Sequence, residues 1–380
     1  MSRGWPTAGP DEHPALPGAE HMATRFFAMA TDMLCVAGVD GYFKALNPAW
    51  SRTLGYSADE LLAQPYLDFV HPDDRASTIA EASKIADGWQ TIYFRNRYRC
   101  KDGSYKWLAW TATPAMVDGA IYAVARDVTT AILSEHEREN ELRALREQEA
   151  RVRAAIDGEG LGIVFQPVVG LRTGQPTGFE ALARFGQRPV RTPDVWFADA
   201  EAVGLGKELE IRAIAEAVEC AALLPDNVFL AVNASPSTLL SADLDATLAR
   251  FDRERLVVEV TEHAAVADYN SLKEAIDRLR HLGVRLAIDD AGAGHSGLTQ
   301  IVQLVPEFIK LDLFLTRNID SDPVKRALAA ALVSFTKEIG ATLIAEGVET
   351  ADELRVLREL GIDNAQGYYL GRPAALAAVA

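Results

Sequence analysis

Five carboxylates and one amide each follow directly on a short apolar run: Glu180 in Phe-Glu-Ala-Leu-Ala-Arg, Asn233 in Val-Asn-Ala-Ser-Pro, Glu259 in Val-Glu-Val-Thr-Glu, the Asp289–Asp290 pair after Leu-Ala-Ile, and Glu346 after Leu-Ile-Ala. Singly, such an acid is an ordinary solvated strand cap. Gathered at one place, they would repel one another strongly unless cations lay between them. Oxygen donors without Cys or His select Mg2+ or Mn2+ over zinc. Adjacent aspartates project to different sides of a strand, so the pair can serve two ions. Lys310 follows another apolar run. It suits either a hold on an attacking water or a phosphate as charge builds, or a salt bridge to Asp312 or the nearby acids.

Elements that would gather these residues are legible from periodicity. Apolar runs at 162–167, 228–233, 256–260, 284–289, 308–311 and 342–345 alternate with amphipathic helical segments. Strand–helix alternation over roughly 220 residues suits a (β/α)8 TIM-like barrel, whose active sites lie at the C-terminal ends of strands. Upstream, residues 22–130 read as a small α+β domain. It has β-like runs at 33–37, 90–99, 105–113 and 121–124, and helices at 58–62 and 76–85. Asp40-Gly41 and Asp102-Gly103 suit tight hairpins. Residues 131–156 contain no Gly or Pro and carry Leu142, Leu145, Val152 and Ile156 at a/d-like spacing, with Glu149 on the seam, as in a signalling helix. Residues 1–21, rich in Pro and Gly, read as a disordered leader, and residues 157–380 form the barrel.

Composition excludes several classes. A formal net charge of -16 over 380 residues opposes binding to polymeric nucleic acid or to an anionic membrane. No apolar run approaches the ~20 residues needed to span a bilayer. Cys35, Cys100 and Cys220 lack CxxC spacing, so neither a disulfide framework nor a zinc site is indicated, and a cytoplasmic setting fits.

Two resemblances add to this reading. Asp40-Gly41, Asn47-Pro-Ala-Trp50, Leu54-Gly-Tyr56, His71-Pro-Asp-Asp74, Lys101-Asp-Gly-Ser104 and Arg126-Asp-Val-Thr129 together resemble a PAS sensor module. The module's ligand stays unknown: the cysteine motif of flavin-adduct sensors is absent, His71 reads as a turn residue, and Trp50, Trp89, Trp107 and Trp110 read as core or sheet-face aromatics.

Phe165-Gln-Pro167, Glu180-Ala-Leu182, Arg184, Asn233, Glu259 to Glu262, Asp289-Asp290, Ile309-Lys-Leu-Asp312, Ala345-Glu-Gly-Val-Glu-Thr350 and Ala365-Gln-Gly-Tyr368 resemble the EAL phosphodiesterase family. That resemblance implies a barrel with one reversed strand and hydrolysis of cyclic di-GMP to linear pGpG by a homodimer. Glu180, Asn233, Glu259 and Asp289 would hold one ion, with Asp289 shared and Asp290 and Glu346 serving a second. Glu346 fits a metal ligand, a general base, or both. Arg184 offers a fork for a phosphate oxygen and Gln166 the donor–acceptor pair of a guanine edge, while Asp312 would support substrate and Gln366 the metal waters or the substrate. Glu262 would brace the loop after the aspartate pair. That loop reads Ala-Gly-Ala-Gly-His-Ser-Gly-Leu over 291–298, where the family more often has Phe, Thr and Tyr at its first, third and fifth positions, and His295 fills an aromatic's place. No Gly-Gly-Asp/Glu-Glu-Phe segment supplies a cyclase. A receptor that binds the nucleotide without turning it over is the competing reading.

Overall fold

The computed structural model describes residues 18–114, 120–188, 190–260, 269–291 and 301–376, without the side chains of Asp290 and Ala291. The loop expectations for Glu262, His295 and residues 292–298 lie outside the described residues, as does the leader up to residue 17. Residues 19–21, expected in that leader, begin a helix, Ala19–Met29. The chain divides into two compact units, 1–142 and 143–380, with the boundary inside one continuous helix, Thr129–Ile156.

The first unit is a five-stranded antiparallel sheet: β1 (Met33–Gly38), β2 (Phe43–Leu46), β3 (Thr91–Arg99), β4 (Tyr105–Pro114) and β5 (Ala120–Asp127), in the order β2-β1-β5-β4-β3. Both expected hairpins form, and Gly41 and Gly103 carry φ of 85° and 88°, the left-handed region that favours glycine. Trp50 is fully buried and its indole N–H donates to the Leu34 carbonyl, while Trp110 packs against the same core. Trp89 departs from expectation, being 71% exposed just past the helix Arg75–Ala86 rather than in the core or on the sheet. His71 caps a turn, its Nδ1 accepting from the Asp73 amide at 3.3 Å.

Eight strands close the second unit into a barrel: β6 (Leu161–Gly170), β7 (Pro176–Phe185), β8 (Phe229–Ala234), β9 (Leu256–Val260), β10 (Arg285–Ala291), β11 (Phe308–Leu311), β12 (Thr342–Ala345) and β13 (Asn364–Ala365). β6 runs antiparallel to both neighbours, β7 and β13, so the one reversed strand is β6. Buried Val168, Phe229, Ala231, Val257, Ala287 and Ile344 form an apolar layer. Gly178 makes room for it, because a Cβ there would come within 2.3 Å of the Phe229 ring.

The strand pleat has a period of two, so the residue two positions further along shares the face. From Ala231, Val257, Ala287 and Ile344 that step leads to Asn233, Glu259, Asp289 and Glu346, and from Phe308 to Lys310. On reversed β6 the same level is reached two residues earlier, from Val168 to Gln166. The apolar layer is thus the floor on which the polar residues stand.

Candidate active site

The two-residue step places the candidates late in their strands: Asn233 fifth of six in β8, Glu259 fourth of five in β9, Asp289 fifth of seven in β10, with Glu346 directly after β12. Two positions differ from expectation. Glu180 is mid-strand in β7, which continues past the mouth because β6 pairs with it as far as Leu161 opposite Phe185. Lys310 lies inside β11 rather than after it, and every residue of β11 is buried.

Lys310 is the centre of the cluster. Its Nζ stands 2.7 Å from Glu259 Oε2, 2.7 Å from Glu346 Oε1, 3.2 Å from Asp289 Oδ1 and 3.5 Å from Glu180 Oε2, with 1% of the side chain exposed. Of the two sequence readings, the ion pair with the nearby acids is present, but its partner is not Asp312. That aspartate caps the short helix Leu313–Thr316, accepting from the Phe314 amide.

Three amides complete the wall. Asn233 Nδ2 donates to Glu180 Oε1 at 3.0 Å. Gln366 Nε2 donates to Glu180 Oε2 at 2.6 Å and to Gln166 Oε1 at 3.0 Å, and Gln166 Nε2 donates to the Gly371 carbonyl. Gln366 Oε1 is buried without a partner among the described residues.

Burial opposes charge throughout. It works against the charge on Glu180, yet Lys310 and the Gln366 and Asn233 amides hold that carboxyl below its usual range. Burial, with Glu180 and Asp289 adding to it, drives Glu259 well above the usual range despite Lys310. Glu346 is pushed up to about 8, chiefly by burial. Burial works against the Lys310 charge too, but the four acids outweigh it and hold the ammonium well above its ordinary value.

Among the described residues no group of three or more His, Cys, Asp or Glu side chains is disposed to hold a metal ion. The point where the oxygens converge is taken by the ammonium. The donor set nonetheless fits Mg2+ or Mn2+, being all oxygen, strongly anionic, and already arranged around a cation. Asp290 follows Asp289 on β10.

Arg184 is exposed at the rim of a cleft that runs from Glu180, Asn233 and Asp289 past Phe197 and Glu210. Glu210 was not anticipated. It accepts from the amide and hydroxyl of Ser235, steadying the turn just after β8. Its only sequence signal is its place on an otherwise ordinary amphipathic helix, Gly206–Ala221.

Fold and site together define a barrel protein of the (β/α)8 type with an acidic mouth suited to divalent cations. The chain belongs to the EAL domain family, whose model matches residues 149–373, and residues 43–125 match the PAS fold. A cyclic di-GMP phosphodiesterase of Pseudomonas aeruginosa is 30% identical over 233 residues, 57% of this chain and 38% of that protein. A signaling protein of Bacillus subtilis is 31% identical over 239 residues, 60% of this chain and 30% of that one. The chain spans about a third of the length of the curated relatives it matches. Among solved structures, Klebsiella pneumoniae BlrP1 in a calcium and cyclic di-GMP complex has a TM-score of 0.52 and 32% identity, covering 57% of this chain and 56% of that one. The same protein also appears with manganese and cyclic di-GMP.

Proposed function

We propose that this chain is a phosphodiesterase dependent on Mg2+ or Mn2+ that opens cyclic di-GMP to linear pGpG, in second-messenger signalling under the control of its PAS domain. The carrying observation is the convergence of Glu180, Glu259, Asp289 and Glu346 on one buried point, in a member of the EAL family. With all the acids ionised, as metal binding would require, five with Asp290 against one lysine leave -5 + 1 = -4, which two divalent ions would balance.

Glu180, Asn233, Glu259 and Asp289 would hold one ion, and Asp289, Asp290 and Glu346 the other. Bound there, such ions would acidify a water and offset charge on phosphate oxygens. Within the chain, Glu346 takes a proton from the attacking water, and Lys310 donates to a phosphate oxygen as charge builds there. Arg184 pairs with phosphate from the cleft rim. Gln166, with Gln366 behind it, presents an amide to a guanine edge. Attack forms the new P–O bond, the bond to the 3′ oxygen breaks, and that oxygen leaves as a 3′ hydroxyl with a proton drawn from solvent, while Glu346 returns its own proton to solvent.

The working unit is a homodimer of a sensor at 22–130, a linker at 131–156 and a barrel at 157–380, acting in the cytoplasm. Exposed Leu142 and Leu145 on the linker helix support pairing. No described helix is long and apolar enough to cross a membrane.

Purified protein incubated with cyclic di-GMP and either ion, followed by nucleotide chromatography, is expected to yield pGpG. Glu180→Ala is expected to abolish turnover by removing a ligand and the anchor of two wall amides, Asn233 and Gln366. Tight nucleotide binding without product would establish the receptor reading instead, and normal rates in Glu180→Ala would refute the site.

A further inference from the structure

We propose that Lys310 is the resident counter-ion of the site: it holds four strand ends together before metal arrives and must release Glu259 and Glu346 for metal to bind. This rests on the divalent-ion reading above. The four acids come from separate elements, β7, β9, β10 and the residue after β12, and converge on the lysine Nζ. An ammonium has three N–H donors and one charge. Four carboxyl groups face it, one more than those donors can serve.

Geometry separates placeholder from metal. Mg2+ draws oxygens to roughly 2.0–2.1 Å, whereas the nearest oxygens stand at 2.7 Å from Nζ, hydrogen-bond spacing. The described acids are accordingly not grouped to hold a metal ion. β11 is buried and pairs with β10 and β12, Lys310 itself with Ile344, so the ammonium moves most readily by turning its flexible stem. Metal binding therefore competes with Lys310, and removing the ammonium strengthens it.

The test compares full-length wild type, Lys310→Met and Lys310→Arg by Mn2+ titration, reading free Mn2+ by electron paramagnetic resonance, and by thermal midpoint in chelator and in Mn2+. Lys310→Met should bind Mn2+ about tenfold tighter or more, a difference of ~1.4 kcal/mol. It should melt below wild type in chelator and close that gap in Mn2+, while Lys310→Arg keeps wild-type affinity. Folding of Lys310→Met only with Mn2+ would be the same result in its extreme form. Equal or weaker Mn2+ binding by Lys310→Met, a stability loss indifferent to Mn2+, or failure to fold even with Mn2+ overturns the proposal. Absence of Mn2+ binding by wild type and variant alike would overturn the metal reading itself, whereas equal binding would sink only the role of Lys310.

Discussion

Arg184 and Glu180 stand four residues apart on β7, so the pleat turns both to one side of the strand. Glu180 is buried among the acids and amides, while Arg184 lies exposed on the cleft with its Nη1 donating to the Ala183 carbonyl at 2.8 Å. One strand thus carries a proposed ligand and a phosphate partner. Arg184→Ala is expected to raise KM about tenfold to a hundredfold with kcat nearly kept, the loss of a charge-assisted bond worth ~1.5–3 kcal/mol. A fall in kcat at unchanged KM would place Arg184 in the chemical step instead. The acids of the site were legible because each follows an apolar run. For Lys310 the sequence offered the nearby acids beside Asp312 but not which of them, since sequence spacing does not say which strand ends share a barrel mouth. Asp312 shows the converse: a residue two positions from Lys310 spends its carboxylate on a helix N-terminus.

Several strands were readable because an unbroken apolar run announces them, and 256–260, 308–311 and 342–345 agree to the residue, whereas the ten-residue β7 was not among the expected runs and β6 extends past its expected 162–167. The two-residue β13 has too few positions to show any period, and its pairing with β6 and β12 is purely tertiary. The a/d stripe of the linker helix is not one seam. Leu142 and Leu145 are exposed, whereas Val152 is buried with Phe185 and Trp196, whose rings stack at 4.7 Å.

In the sensor, Asp74 joins a turn to β3: its carboxylate accepts from the Arg97 amide and guanidinium at 2.7–2.9 Å. Arg97 holds that carboxyl below its usual range. A depressed folded pKa contributes stability above the ordinary aspartate value and loses it as pH falls through the folded one. Asp74→Asn is therefore expected to lower stability by ~1–3 kcal/mol at pH 7, with the gap to wild type shrinking below about pH 4. Calorimetry of the full chain at both pH values checks this, and an equal gap at both would exclude the ion pair as its cause.

The linker helix, 28 residues from Thr129 to Ile156, is the chain's covalent route between its units. Its barrel end is fastened firmly. Gln148 donates to the Asp199 carbonyl at 2.9 Å, Val152 and Ala155 are buried, and both pack with Phe185, the residue after Arg184. A turn of the helix about its axis would therefore press on the end of β7, the strand that carries Arg184 and Glu180, and on the helix Pro193–Ala202. If sensor control travels this way, it depends on helical phase more than on length. At about 100° and 1.5 Å per residue, seven residues inserted after Glu141 add ~10.5 Å but leave the phase within about 20° of the original, whereas five add only ~7.5 Å and turn it by about 140°. The seven-residue insertion is expected to keep the wild-type rate of pGpG formation and the five-residue insertion to change it. Rates that follow inserted length rather than phase would mean distance carries the signal, and wild-type rates in both would mean that the sensor does not act through this helix.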